Sequence, residues 1–146
     1  MAIIVIKQLA TALAAVFLCL NVSAVTSVKI GGLSTHLSDG DYESFHRVFI
    51  LSKDDYFSGY FLNSFGDDSF TVGKSFHTYD LGLKFSLHVG AVYGYRESSD
   101  CYKSDPGTGD KIICPMIAPE ITAESLPLKP SVAFFGLDAL VLTVNF

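Results

Sequence analysis

His36 and the adjacent pair Asn63-Ser64 are the residues of this 146-residue chain whose types could do chemistry together. An imidazole with an ordinary pKa near 6.5 accepts a proton at neutral pH, so a histidine within reach of a serine hydroxyl can serve as its general base. Histidine and serine are also common at strand ends, and the pairing requires a fold that carries distant segments to one place. The other histidines suggest less. His46, beside Arg47, reads as a surface residue, and His77 and His88 read as lumen or turn residues rather than metal ligands. No spacing of His and Cys suits a metal, and no Gly-rich loop suits a phosphate. With 10 basic against 15 acidic side chains, the surplus that nucleic-acid binding needs is absent. No cofactor, metal or nucleic-acid partner is expected.

Composition constrains the elements that must hold such a site. Hydrophobic residues make up 49% of the chain and charged ones 17%, well under the roughly 25% usual for a soluble domain. Part of the surplus lies in residues 1–24, where Lys7 precedes the apolar run Leu9 to Leu20 and the small-x-small sequence Val22-Ser23-Ala24, the pattern of a secretory signal peptide. A membrane-anchoring helix is the alternative, but the run is shorter than the ~20 residues a span needs. Cleavage leaves 122 residues, 25–146, with 9 basic and 15 acidic side chains. It also leaves two cysteines, Cys101 and Cys114, flanking a polar Pro/Gly-rich loop. In an exported protein that pair reads as a disulfide, and zinc is the weaker reading because no histidine lies near either cysteine.

The rest of the chain is patterned as strands. From Leu81 to Arg96, Leu81, Leu83, Phe85, Leu87, Val89, Ala91, Tyr93 and Tyr95 alternate with Gly82, Lys84, Ser86, His88, Gly90, Val92, Gly94 and Arg96. Period 2 over that length predicts a strand longer than soluble ones, with one continuous apolar face. Shorter alternating segments are expected at 28–37, 45–52, 56–64, 70–77, 113–124, 131–135 and 139–146. Lys74 intrudes on an otherwise apolar face. Turn residues fall at 38–44, 53–55, 65–67, 78–80, the cysteine loop, 126–130 and 136–138. Seven connections make eight strands, and about 15 residues per strand and connection suits a tilted membrane strand of ~10 residues plus a turn.

The expected fold is therefore all-β: an eight-stranded antiparallel up-and-down transmembrane β-barrel in the bacterial outer membrane, monomeric, ending in the alternating Leu142, Val144 and Phe146. A closed barrel pairs every strand edge and so tolerates an apolar exterior. Both termini then lie on the periplasmic side, and His36 and Asn63-Ser64 meet at the opposite, external rim. Lumen-facing Gly73, Ser75, Gly82, Gly90 and Gly94 would leave a narrow slot. Lys84, His88, Arg96, Glu120 and Glu124 on the same faces would instead make a charged plug.

At this point the chain resembles the outer-membrane lipid A palmitoyltransferases, the PagP-type enzymes. The resemblance rests on the histidine at the end of strand one, Tyr42-Glu43 after it, Gly59-Tyr60-Phe61-Leu62-Asn63-Ser64-Phe65, Leu81-Gly82-Leu83, Pro115 and Pro119 in strand six, and the aromatic terminus. It implies transfer of a fatty acyl chain from a phospholipid to lipid A. His36 would be the base, Ser64 the hydroxyl partner and Asn63 a polar support. Asn63 stands where the family has an acid, so Asp67, Asp68, Asp39 or Asp41 would have to supply the charge. The family is rich in Trp and this chain has none. Pro115 and Pro119 remove ladder donors from strand six, and in such enzymes lipid enters sideways there. Ser75 and Gly73 would line the acyl slot, with Ser75 near the length-setting position and favouring a chain slightly shorter than palmitate. The alternatives are a non-catalytic barrel that masks the cell surface through its external loops, and a soluble periplasmic barrel that binds a small hydrophobic ligand.

Overall fold

The computed structural model describes residues 27–37, 39, 41–96, 101, 109–135 and 139–146. The signal-peptide segment 1–24 lies outside them. Eight strands follow in order: β1 (Ser27–His36), β2 (Phe45–Lys53), β3 (Tyr56–Leu62), β4 (Asp68–Asp80), β5 (Leu83–Arg96), β6 (Lys111–Ala123), β7 (Ser131–Phe135) and β8 (Ala139–Asn145). Each pairs antiparallel with its sequence neighbour, and β1 pairs with β8 to close the barrel. Val28 N–H donates to the Phe146 carbonyl at 3.0 Å and Phe146 N–H to Val28 at 2.9 Å, so both ends of the barrel chain meet at one end of the molecule. That end is called the terminal end below, and the opposite one the rim.

Two tight hairpins at the terminal end have both central residues at positive φ, Asp54-Asp55 at 49° and 68° and Leu81-Gly82 at 48° and 78°. This is the turn geometry whose twist matches that of paired strands. The second hairpin corrects the expected turn at 78–80. Thr78 and Tyr79 are good strand formers and stay paired with Phe85 and Lys84, so the chain reverses two residues later and leaves Leu81 almost fully exposed.

The alternation of β5 also departs from expectation at its rim end. A bulge lies between Tyr93 and Tyr95 where they meet β6, and Gly94 has φ of 137°. One extra residue reverses the side-chain parity beyond it. Tyr93 therefore stays on the outside while Tyr95 packs against the interior, and Arg96 leaves the lumen to grip Asp67 at the rim through two 2.9 Å hydrogen bonds. A side chain at Gly94 would meet Ser69 Oγ at 2.2 Å, so the bulge requires glycine.

Outside, β4, β5 and β6 present Phe70, Val72, Phe76, Phe85, Leu87, Val89, Ile113, Ile117 and Ile121, all exposed. Tyr60, Phe70 and Tyr93 cluster toward the rim, and Tyr56, Phe76 and Tyr79 toward the terminal end. Lys74, the intruder in this face, lies level with the end of β3, where its ammonium sits 5.3 Å from the Tyr56 ring and 5.7 Å from the Phe76 ring. Inside, Phe57, Phe61, Val92, Cys114 and Met116 form the buried core, and Cys114 is bonded to Cys101.

One seam differs from the rest. β5 and β6 pair along their whole length, through both Pro115 and Pro119, whereas β6 and β7 pair only at Glu120, Ile121 and Thr122, with Ala133, Val132 and Ser131. Proline has no N–H, so the missing donors of an otherwise continuous β5–β6 ladder fall on the β7 edge. Among the described residues, the rim half of the β6–β7 seam is unpaired.

Candidate functional site at the rim

A bulge in β1 decides which of its side chains reach the site. Register slips between Gly31 and Leu33, and Gly31 and Gly32 have φ of 117° and 114°. Lys29 points inward. Without the slip, Ser34 and His36 would lie on the opposite face; with it, Gly32, Ser34 and His36 turn inward. Gly32 also makes room for β2, since a Cβ there would meet Val48 Cγ2 at 2.7 Å and His46 Cβ at 3.1 Å.

His46 is buried in that space, not a surface residue as its neighbour Arg47 suggested, because it shares the inward parity of Val48 and Ile50. Its Nδ1 lies 2.7 Å from the Leu62 carbonyl and its Nε2 2.5 Å from Ser34 Oγ. A carbonyl can only accept, so Nδ1 carries the proton, and the neutral ring accepts the Ser34 hydroxyl proton at Nε2. The alternative acceptor for Ser34, the Glu43 carbonyl, is 3.4 Å away.

The residues singled out from sequence gather around the same rim. The His36 ring stacks on Tyr42 at 4.0 Å, 6.3 Å from the His46 ring. Ser64 lines the interior cavity, and its carbonyl accepts the Glu43 N–H at 2.9 Å, so His36 and Ser64 flank the same 42–43 segment. Asn63 is fully enclosed. Its Oδ1 accepts the N–H groups of Phe65 at 3.0 Å and Asp67 at 3.1 Å, and its Nδ2 donates to Gly94 at 3.2 Å. The amide therefore holds the turn that presents Ser64. A carboxylate could accept the two N–H groups but could not donate to Gly94, which accounts physically for Asn at this position. Of the acids considered as substitutes, Asp67 is held by Arg96, and Asp68 accepts the Tyr60 hydroxyl at 2.7 Å.

Below these residues lies a cavity of about 60 Å³, walled by Val48, Ile50, Phe61, Met116, Phe135 and Val141 among others. That is room for roughly four to six waters. Its floor is charged: Glu120 is bonded to Lys29 across the barrel, lies 3.5 Å from His88 Nε2 and accepts from Thr122 at 3.3 Å. Lys84 and Glu124 pair at 3.0 Å nearer the terminal end, and Lys129 joins Glu124 at 2.8 Å. Slot and plug thus occupy different halves of one lumen.

Gly73 and Ser75 sit at the floor and do not line the cavity. Ser75 Oγ is bonded to His88 Nδ1 at 2.7 Å, and a Cβ at Gly73 would meet Val89 O at 2.3 Å and the Phe57 ring at 2.6 Å. Pro115 and Pro119 face outward on β6, and Met116 and Ala118 between them face the cavity. Sequence reasoning missed Ser34 and His46. The usable signals were the Gly31-Gly32 pair inside a strand, which marks a bulge, and the inward parity of His46.

Among the described residues, no three His, Cys, Asp or Glu side chains converge to hold a metal ion. No family model, curated protein or solved structure matches the chain.

Proposed function

We propose that the protein is an outer-membrane barrel that transfers a fatty acyl chain from a phospholipid to a hydroxyl of lipid A. The observation that carries this reading is the apolar cavity beside the unpaired β6–β7 seam, with His46, Asn63 and Ser64 on its rim-side wall. Such a seam gives a membrane-dissolved chain a sideways path into the lumen that a fully paired barrel lacks. The exposed apolar exterior between two aromatic clusters suits hydrocarbon flanked by interfaces, and a patch of that extent is out of place on a soluble monomer.

In this reading the ester of the phospholipid lies at the rim and its chain points down toward the floor of Lys29, Glu120, His88 and Ser75. Met116, flexible and unbranched, is the wall residue best able to swing aside and widen the cavity for the chain. His36 acts as base for the incoming hydroxyl, Ser64 hydrogen-bonds the reacting ester, and Asn63 keeps Ser64 in position.

Mass spectrometry of lipid A from cells with and without the protein tests the reading. The expected result is one added acyl mass that disappears with His36→Ala and with Ser64→Ala, while the barrel still fractionates with the outer membrane. No added mass in cells that carry the folded barrel overturns the transferase reading. Recovery in the soluble periplasm without detergent overturns the membrane assignment itself.

A further inference from the structure

We propose that Ser34 is a second reactive hydroxyl of this rim, a nucleophile activated by His46, and that acyl transfer runs through an ester on Ser34. The inference rests on the acyl-transfer reading above and deepens it.

Three groups are in line: Ser34 Oγ, His46 Nε2 at 2.5 Å, and the Leu62 carbonyl 2.7 Å from His46 Nδ1. This is the arrangement an activated serine needs, a hydroxyl on a base whose far nitrogen is fixed by a third group. Here a backbone carbonyl takes the orienting position that a carboxylate holds in the Ser-His-Asp triad. It selects the same tautomer, leaving Nε2 free to accept a proton. It does not stabilise the imidazolium with a full charge, so slower turnover than that of a complete triad is expected.

Burial supports the assignment. His46 is 4% exposed and lines the apolar cavity, while Ser34 is half-exposed on the rim side of it. The imidazole is shielded from water and the hydroxyl is reachable. Three strands cooperate to make the contact: the β1 bulge turns Ser34 inward, the β2 parity buries His46, and the end of β3 supplies the carbonyl. A hydroxyl needed only for packing would not require two consecutive residues at positive φ.

The step balances without a co-reactant. Ser34 Oγ attacks the ester carbonyl carbon as its proton moves to His46 Nε2. The bond from that carbon to the lysophospholipid oxygen breaks, and the departing oxygen takes the proton from Nε2. An acceptor hydroxyl, or water, then gives its proton to Nε2, attacks the Ser34 ester and restores the serine. His36 and Ser64, across the 42–43 segment, are placed to serve the acceptor.

The test uses the full mature chain in detergent micelles with a phospholipid carrying isotope-labelled acyl chains and lipid A as acceptor. After acid quenching, peptides are read by mass spectrometry for labelled acyl mass. The expected result is the label on the peptide containing Ser34. Transfer and label should both fall by about 10²-fold or more in Ser34→Ala and His46→Gln, with heat-modifiable gel mobility unchanged as the control for folding. Ser34→Cys is expected to keep the label, now as a hydroxylamine-sensitive thioester. Transfer at the wild-type rate by Ser34→Ala overturns the nucleophile and leaves the acyltransferase standing. Absence of both transfer and hydrolysis in the folded wild type overturns the acyltransferase, and the nucleophile with it.

Discussion

Replacing Glu120 by Leu should be among the most damaging single changes in the barrel. The Glu120 side chain is 2% exposed, and its partner Lys29, from the opposite wall, is 13% exposed. Removing the carboxylate leaves an ammonium buried in the lumen, with His88 and Thr122 also deprived of their acceptor. Breaking a buried pair from one side costs about 3–5 kcal/mol, because the surviving charge has lost both water and partner. Removing both charges is different. The double variant Lys29→Met/Glu120→Leu should fall within about 1 kcal/mol of wild type or exceed it, since neither desolvation penalty remains. With a urea dependence of about 2 kcal/mol/M, the single variant's midpoint should drop by roughly 1.5–2.5 M and the double variant's should recover. The chain has no Trp, so far-UV circular dichroism of the barrel in lipid vesicles is the natural readout. A single variant that unfolds at the wild-type midpoint would refute the reasoning, as would a double variant no more stable than the single one.

The remaining predictions concern the two ends of the molecule. Replacing Cys101 and Cys114 together by Ser opens a loop with a sequence separation of 13, which in the chain-entropy view costs about 3 kcal/mol; thermal unfolding should shift down without change in strand content. At the terminal end, the Lys129 hydrogen bond, with help from Lys84, holds the Glu124 carboxyl below its usual 4.5, and Glu124 in turn raises Lys129 above its usual 10.5. A depressed carboxyl stabilises above its unfolded pKa and loses that contribution as pH falls through its folded value. The wild type's small advantage over Glu124→Gln should therefore hold at pH 7 and vanish on acidification below about 4.5. Melting temperatures of the two forms across that range check it, and a gap that widens in acid would contradict the assignment.

Local signals in the chain carry the strand count and order, through period-2 alternation at eight places and turn residues at seven. The outward apolar faces of β4, β5 and β6 lie where that alternation puts them. The departures share one cause. Tyr95, Ser34 and His46 depend on parity, and one bulge residue at Gly94 or at Gly31-Gly32 inverts parity for everything beyond it. A glycine in a strand marks such a place without stating which way the following side chains turn. Asn63 stands beside Ser64 in the chain as half of a reactive pair, yet its three hydrogen bonds join a turn to a strand 31 residues away, a partnership no local pattern encodes.

The sequence by itself determined an all-β chain of eight strands with an apolar exterior, because side-chain alternation and turn chemistry act between near neighbours. Tertiary structure alone decided that the lumen is divided between an apolar cavity at the rim and an ionic floor below it. Lys29 and Glu120 lie 91 positions apart, and Ser34, His46 and Leu62 come from three strands. Closing the barrel sets which residues of different strands share a level, and that level depends on register and bulges summed around the whole sheet.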